Sequence, residues 1–562
     1  MGLKNLRQKI DTLDTELLKL LAQRQEVAAE IAAAKKASGK KVFDPKRERQ
    51  LLKEKKKLAE SLGLPVAYVD KIFQVLFQSS RGAQTSYFEL AEKLKPRKLS
   101  YRKKKIKTGL SLLEIFARLK QNFETCFLLE SLGEYDDFSR KSYLGFSPYS
   151  IIQAEPGKLI VDQKKFATPN PYEALKLFLP RFPKGPGFRG GLFGYLSYEA
   201  TRYFEPSLNF GKHPAFPDFE FGLYYDGLIF DKKTKELTYF YLSKDRSKLL
   251  QKVLRQPLKK EKAFKAKAAG NNHSQAYFEK AVREGKKEIF AGNTFQFVIG
   301  RKYFYKLSGD RLKFYEKLRE VNPSPHMFYL QFGKKLAKRP VPRSLDEGGS
   351  SQSAVRELIG SSPELIVRVE NGVVENYPLA GTRKITGDRK KDQQLAKELL
   401  ADEKEKAEHM MLVDLGRNDV GRVCKFGSVK VSKLMVIKKF SHVQHIASEI
   451  IGKLRNDKTA FDALAAQMPM GTVSGAPKIE TMKIIKRLER DPRGPYAGAV
   501  GFFSLAGDCV FAVNLRSLFA ANGKATIQAG AGVVADSVPR NEFKEVEKKV
   551  RGVITALKQA SH

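Results

Sequence analysis

Two pairs of glutamates are the first residues in the chain with the type and spacing to do chemistry. Glu405 and Glu408 in ELLADEKEKAEHMMLVDLGRNDVGRV, and Glu542 and Glu545 in GAGVVADSVPRNEFKEVEKKV, each stand three residues apart, which puts both side chains on one helix face. Brought together, the pairs would offer only oxygen ligands, a donor set that suits magnesium, which takes one or two carboxylates plus water or substrate oxygens. Glu-x-x-Glu among lysines is also the pattern of an exposed helix face. A second candidate is cationic: Arg24 and Lys35 lie eleven residues apart in a leucine-patterned segment, so they differ by about 20° around a helix and share a face. Arg7 is 17 residues before Arg24, about 100° away and roughly 25 Å along the axis. It reaches the same small ligand only from a second, antiparallel copy, so this geometry predicts a homodimer.

Weaker signals accompany these. PMGTVSGAPKIETM is a glycine-rich turn opening a helix, and QAGAG spans Gln528 to Gly532. Such turns let backbone amides approach a carboxylate, and they also serve as tight packing turns. His445 in FSHVQHIAS has apolar neighbours Val443 and Ile446, the setting of a structural histidine. Cys126, Cys424 and Cys509 are scattered, which excludes a disulfide framework, a zinc site and a glutaminase-type Cys/His arrangement.

These residues need elements to carry them. From Leu3 to about Ala34 apolar residues recur at three- and four-residue steps (Leu3, Leu6, Ile10, Leu13, Leu17, Leu20, Val27, Ile31), predicting one long helix with a coiled-coil-like seam. Asp44-Pro45 starts a second helix, with an N-cap acceptor and a residue that loses no hydrogen bond at N1, running to about Ser61. Pro65 restarts a third, Val66 to Ala83, with Tyr68, Ile72, Val75 and Leu76 on one face. Past a basic connector, Lys95 to Lys107, short apolar runs such as CFLLE, YLGF, LFGYLSY, FGLYYDGLIF and ELTYFYL mark a sheet-rich α+β region. Helices then alternate with strands to the end, and Lys334 to Arg356 reads as an exposed insertion loop. The expected division is a helical domain over 1–88, a basic linker over 89–110, a first sheet region over 111–258, a linker over 259–272 and a catalytic region over 273–562.

Composition bounds the function classes. The 562 residues carry 103 Lys+Arg against 62 Asp+Glu, a formal charge of +41, yet 42% are apolar, so the basic excess is not that of a disordered chain. The lysines are dispersed and no nucleic-acid motif accompanies them; a solvated basic surface is the leading reading, anionic-substrate steering the second, and nucleic acid the least supported. No apolar run approaches the roughly 20 residues of a membrane span, and the N-terminus lacks a signal-peptide core, so a cytoplasmic protein is expected.

The helical segment resembles the all-helical chorismate mutases, an intertwined three-helix dimer family, through LRQKIDTLDTELLKLLAQR, DPKRERQLL and YVDKIFQVLFQSS. The resemblance implies that Arg7 of the partner subunit, Arg24 and Arg47 hold the two carboxylates of chorismate, and that Lys35 and Gln84 bind its ether oxygen. It further implies that Asp44 and Glu48 meet the ring hydroxyl and that Ser80 lines the carboxylate end. The residue types suit the reaction, since a pericyclic rearrangement needs only a compact conformer and cations over the breaking ether. The competing reading is a docking, dimerisation or effector-sensing module.

From about residue 110 to the end the chain resembles the chorismate-utilising enzymes, and among them the large subunit of anthranilate synthase. The blocks are PLAGTRKITG, DEKEKAEHMMLVDLGRNDVGRV, FSHVQHIAS, PMGTVSGAPKIETM, RGPYAGAVGFF and QAGAGVVADSVP, with FRGGLFGYLSYEATRYFE and FLLESLGEYDDFSRKSYLGFSP before them. The resemblance implies an α+β fold with large antiparallel sheets, and magnesium on Glu408 and Glu545 with Glu405 and Glu542 close by. Chorismate would be held by Gln296, Gly381, Thr382, Tyr496, Arg516 and Gly530-Ala531-Gly532, with Lys549 near its carboxylate. Glu364 would be the general acid, and His445 and Thr472 would serve the elimination of pyruvate. Leu129, Glu130, Ser131, Pro325, His326 and Met327 resemble a tryptophan feedback site, with His326 replacing the usual tyrosine. Gln296 stands where isochorismate-forming relatives place a lysine, and Ala380 where aminodeoxychorismate synthases place one. Both point to anthranilate, with aminodeoxychorismate synthase the alternative. The implied whole is a bifunctional enzyme of aromatic amino acid biosynthesis, making prephenate and anthranilate from chorismate, with ammonia from a separate glutamine amidotransferase subunit.

Overall fold

Leucine periodicity at the front of the chain becomes three helices: α1 (Leu3–Ala37), α2 (Pro45–Ser61) and α3 (Val66–Lys93). Asp44 caps α2 as expected, its carboxylate accepting from the Arg47 backbone N–H at 3.1 Å with Pro45 at the first helical position. α3 runs past its expected end at Ala83 because SYFELAEK holds good helix formers and no Pro or Gly to stop it. The computed structural model describes residues 3–93, 99–132, 140–168, 170–179, 189–333, 356–439 and 443–561. It divides into two compact units, residues 1–97 with 153–178, and residues 98–152 with 179–562.

In the first unit Ala28, Ala32, Ala59, Val69 and Phe77 are buried. The predicted seam is not: Leu3, Leu6, Ile10, Leu13, Leu17, Leu20, Val27 and Ile31 are all exposed, Leu13 at 63%, as are Tyr68 and Val75. A run of large apolar side chains along one helix is the mark of a surface meant to be covered.

The second unit is built on two large antiparallel sheets. The first sheet runs, in spatial order, through 102–106, 237–241, 226–231, 141–146, 126–130, 326–332, 356–362, 517–521, 524–533, 296–308 and 265–271. The second includes 379–384, 443–453, 373–376, 365–370, 509–513, 499–504, 191–196 and 219–224. Their inner faces meet through aromatic contacts such as Phe127 on Phe193, with ring centroids 4.1 Å apart, and Tyr143 on Phe502 at 6.0 Å. The helices Gln275–Phe290, Leu312–Val321 and Pro539–Ser561 pack on the first sheet.

Three sequence readings are corrected here. Arg102–Ile106, expected within the basic linker, and Lys265–Asn271, expected within the second linker, are strands, and they are the two edges of the first sheet. Edge strands wetted on both faces carry no apolar alternation, and lysine there discourages pairing with another chain. The third is Arg356: residues 334–355 of the expected insertion lie outside the described residues, but Arg356 opens a strand and grips Glu220 with two nitrogens at 2.7 and 2.6 Å. Among the described residues no helix is long and apolar enough to cross a membrane.

Candidate functional site

In the helical unit two basic side chains reach from α1 to α3. Arg24 donates to Ser80 Oγ at 2.6 Å and to the Leu76 carbonyl at 3.2 Å. Lys35 donates to Gln84 Oε1 at 3.1 Å and to the Val42 carbonyl at 2.6 Å. Ser80 and Gln84 are four residues apart, about one helical turn, so both cations are drawn to one stretch of α3. Every one of these acceptors is neutral, and burial lowers the Arg24 pKa. A half-buried guanidinium without a carboxylate among the described residues is a site waiting for an anion. Glu48 lies 3.5 Å from Arg81, whose guanidinium covers the Phe43 ring at 5.0 Å. Asp44 caps α2, Arg47 is exposed, and Arg7 is exposed near the far end of α1.

In the second unit Glu364 sits just past the strand Arg356–Ser362, buried to 5% exposure. Thr472 donates to its Oε1 at 2.8 Å. Burial pushes its carboxyl up to about 7, against the opposing pull of the Thr472 bond and the charges of Lys549 and Arg516. Arg516 adopts a left-handed φ of 49° and donates weakly to Asn322 Oδ1 at 3.4 Å; burial lowers its pKa and Glu364 raises it. Lys549 donates to the Gly530 carbonyl at 3.1 Å and lies 4.0 Å from Glu545 Oε1. Its side chain keeps 47% of its surface, while the protein around it lowers its pKa.

Glycines let the other groups close in. A Cβ on Gly530 would lie 2.9 Å from Tyr496 Oη, and one on Gly532 would lie 2.8 Å from Gln296 Nε2, so both side chains rest against bare main chain beside Ala531. Gly381 has a φ of 64°, and a Cβ there would meet Leu399 at 2.8 Å and Glu405 Oε2 at 3.1 Å. His445 Nδ1 donates to the Gly381 carbonyl at 2.6 Å and lies 3.1 Å from Thr382 Oγ1, which fixes the ring. Burial lowers the His445 pKa, against the Gly381 hydrogen bond, and so favours the neutral ring.

The four glutamates form two local pairs. Burial, then the Glu405 charge, raises the Glu408 pKa; burial raises that of Glu542, with Glu545 adding to it and Ser537 and Lys549 opposing. Among the described residues no three of His, Cys, Asp or Glu converge on one ion position. Each pair also has a cation against it, Arg383 at 3.4 Å from Glu405 and Lys549 at 4.0 Å from Glu545, so carboxylate oxygens are the donors present and a divalent ion there would displace these partners.

The family profile described as chorismate binding enzyme matches residues 124–555, and that of chorismate mutase type II matches residues 6–85. Anthranilate synthase component 1 of Leptospira biflexa is 43% identical over 468 residues, covering 82% of this chain and 96% of the relative. The chain belongs to the anthranilate synthase component 1 family of chorismate-binding enzymes. The Methanothermobacter thermautotrophicus member is 43% identical over 451 residues, covering 80% of this chain and 92% of its own. A solved structure of anthranilate synthase component I from Streptococcus pneumoniae superposes with a TM-score of 0.62 at 32% identity, covering 75% of this chain and 93% of that one. Escherichia coli MenF, a menaquinone-specific isochorismate synthase, has the same fold at 18% identity and a TM-score of 0.62.

Within this family frame the structure adds residues that the sequence did not single out. Arg383, one position past the PLAGT block, pairs with Asp402 at 3.0 Å and Glu405 at 3.4 Å, and Asn322 receives Arg516. Neither carries a spacing signal, because both act across elements distant in sequence. Leu129, Glu130, Ser131, Pro325, His326 and Met327 come together to line one cavity. The Glu130 carboxylate is tied to Tyr315 at 2.7 Å and Arg319 at 2.8 Å, while the buried Ser131 hydroxyl has no hydrogen-bond partner among the described residues.

Proposed function

We propose that this chain converts chorismate and ammonia to anthranilate and pyruvate in its second unit, and rearranges chorismate to prephenate in its helical unit. The observation that carries the first reaction is Glu364, a buried carboxyl poised near 7 beside two cations, Arg516 and Lys549. Arg516, Lys549 and the amides of Gly530 to Gly532 hold the dianionic substrate, with Tyr496, Gln296, Gly381 and Thr382 shaping the pocket. Ammonia attacks ring carbon two while protonated Glu364 gives its proton to the departing hydroxyl, which leaves as water. His445, with Thr472, then assists loss of the enolpyruvyl group as pyruvate, and the ring becomes aromatic. Magnesium on Glu405, Glu408, Glu542 and Glu545 would supply positive charge to a substrate carboxylate.

In the helical unit Arg24, Arg47 and Arg7 of the partner subunit grip the carboxylates, Lys35 and Gln84 address the ether oxygen, Asp44 and Glu48 address the hydroxyl, and Ser80 closes the carboxylate end. The exposed leucine seam of α1 supports the homodimer this requires. Sedimentation equilibrium should return a dimer, and Leu13→Glu with Leu17→Glu should give a monomer without prephenate formation.

A separate amidotransferase subunit supplies ammonia, since all three cysteines of this chain are buried, away from any substrate. The cavity under Leu129, Ser131 and His326 is read as an effector pocket, its unpartnered Ser131 hydroxyl offering a ligand bond. One assay tests the set: chorismate, magnesium and ammonium salt, with products resolved by mass. Anthranilate and prephenate are expected, anthranilate alone should disappear with EDTA, and added tryptophan should lower its rate. Aminodeoxychorismate as the product would replace this reading.

A further inference from the structure

Arg81 is a cation of the helical unit that the chemistry above leaves unused. It stands one residue past Ser80 and three before Gln84, so on α3 it lies about 60° around the axis from Gln84. A chain of contacts ties it to the cations of α1. Gln84 accepts from Lys35 at 3.1 Å, Lys35 also donates to the Val42 carbonyl at 2.6 Å, and the next residue, Phe43, lays its ring 5.0 Å from the Arg81 guanidinium. Arg81 Nη1 in turn stands 3.5 Å from Glu48 Oε2. The loop before α2 is therefore held at its main chain by Lys35 and at its Phe43 ring by Arg81, which also faces the first turn of α2.

Charge separates this cation from its neighbours. Arg24 and Lys35 bond to neutral acceptors, whereas Arg81 pairs with a carboxylate. At 3.5 Å that pair is looser than a hydrogen bond, and the Glu48 side chain keeps 24% of its surface, so its oxygens retain lone pairs for another donor. A bare carboxylate would repel a dianionic substrate and attract a cationic substituent on it. Paired with Arg81, Glu48 keeps its acceptor oxygens and loses its net charge, which suits a neutral hydroxyl; an ammonium at the same place would meet a cancelled charge and a second cation close by.

We propose that Arg81 sets the specificity of the helical unit: by pairing with Glu48 it fits the pocket to a substrate with a ring hydroxyl and turns away one with a ring ammonium. This rests on the mutase reading, in which Glu48 addresses the ring hydroxyl. Arg81 acts through Glu48 and is a positioning residue, fixed between that carboxylate and the face of Phe43.

The test uses the full chain with EDTA present, so that only rearrangement is read, on chorismate and on its analogue with an amino group in place of the ring hydroxyl. Both rearrange by breaking the ether C–O bond and forming one C–C bond, with no atom gained or lost. Arg81→Met keeps the stem and removes the charge. It should lower kcat/KM for chorismate about fivefold, the scale of a partly exposed ion pair, and raise the ratio of amino analogue to chorismate about tenfold. Arg81→Lys keeps the charge and should hold the ratio within about twofold of wild type. Glu48→Gln removes the other partner and leaves Arg81 uncompensated, so there the ratio should fall about tenfold. A purely structural role would lower both substrates together. Ratios within about twofold of wild type in Arg81→Met and Glu48→Gln overturn the proposal, as does an equal rise in Arg81→Lys, which would make size the cause. Those results leave prephenate formation by the wild-type chain in place; a wild-type chain that forms none sinks the mutase reading itself, and this inference with it.

Discussion

Glu364→Gln is expected to abolish anthranilate formation, by about 10²- to 10⁴-fold in kcat, while prephenate formation and chorismate binding persist. Glutamine keeps the shape and can still accept from Thr472 Oγ1, but it has no proton to give the leaving hydroxyl. The pH profile is the sharper readout. Because burial holds the Glu364 carboxyl at about 7, wild-type activity should fall as pH rises through that value, on an acid-form limb that the residual activity of Glu364→Gln should lack. Stability carries the same sign. A folded-state pKa above the unfolded value of about 4.3 means that the native protein prefers the protonated form. Folding stability from this group is therefore present at low pH and lost progressively as pH climbs from the unfolded value through about 7. Glu364→Gln should flatten that slope. An unchanged pH limb with retained anthranilate formation would remove Glu364 from the role of acid.

The same residue shows what a chain read without coordinates can and cannot yield. SSPE marks Glu364 only by resemblance; nothing in its spacing announces a buried acid, because its environment is assembled from Thr472, Lys549 and Arg516, far apart in sequence. The helical unit was more legible. Its contacts are local in pattern, α1 to α3, and the 3.6-residue period that lays Arg24 and Lys35 on one face is the period that builds the helix. The sheets were legible in their interior strands, whose apolar runs reflect burial, and illegible at their edges. Arg102–Ile106 and Lys265–Asn271 pair as antiparallel strands with few apolar side chains turned inward, and in sequence a lysine-rich edge resembles a linker. Arg383 shows the converse. Its charge suggested nothing, yet among the described residues it is the cation paired with Glu405, and any metal ion taken by that carboxylate must compete with it.

Arg24→Ala should remove prephenate formation, by about 10²- to 10³-fold, the usual cost of deleting one fixed cation or donor aimed at developing charge. The physical ground is the unpaired state of that guanidinium. It is half-buried, and among the described residues it bonds only to Ser80 Oγ and the Leu76 carbonyl and has no carboxylate partner, so a desolvated cation is held there without a counterion from them. A dianion relieves that cost, and it does so most fully in the compact conformer whose carboxylate meets Arg24 while its ether oxygen meets Lys35. Arg24→Lys keeps the charge and loses the planar fork, so partial activity is expected. Both reactions draw on one substrate, which gives an internal control: in a single tube with chorismate, magnesium and ammonium, Arg24→Ala should move the product ratio wholly to anthranilate without slowing its formation. A docking or effector-sensing role for the helices predicts another result, no prephenate from the wild-type chain and an anthranilate rate that changes when Arg24 is removed. The ratio of two products from one incubation therefore decides whether the half-buried cations on α1 act on substrate or on the rest of the protein.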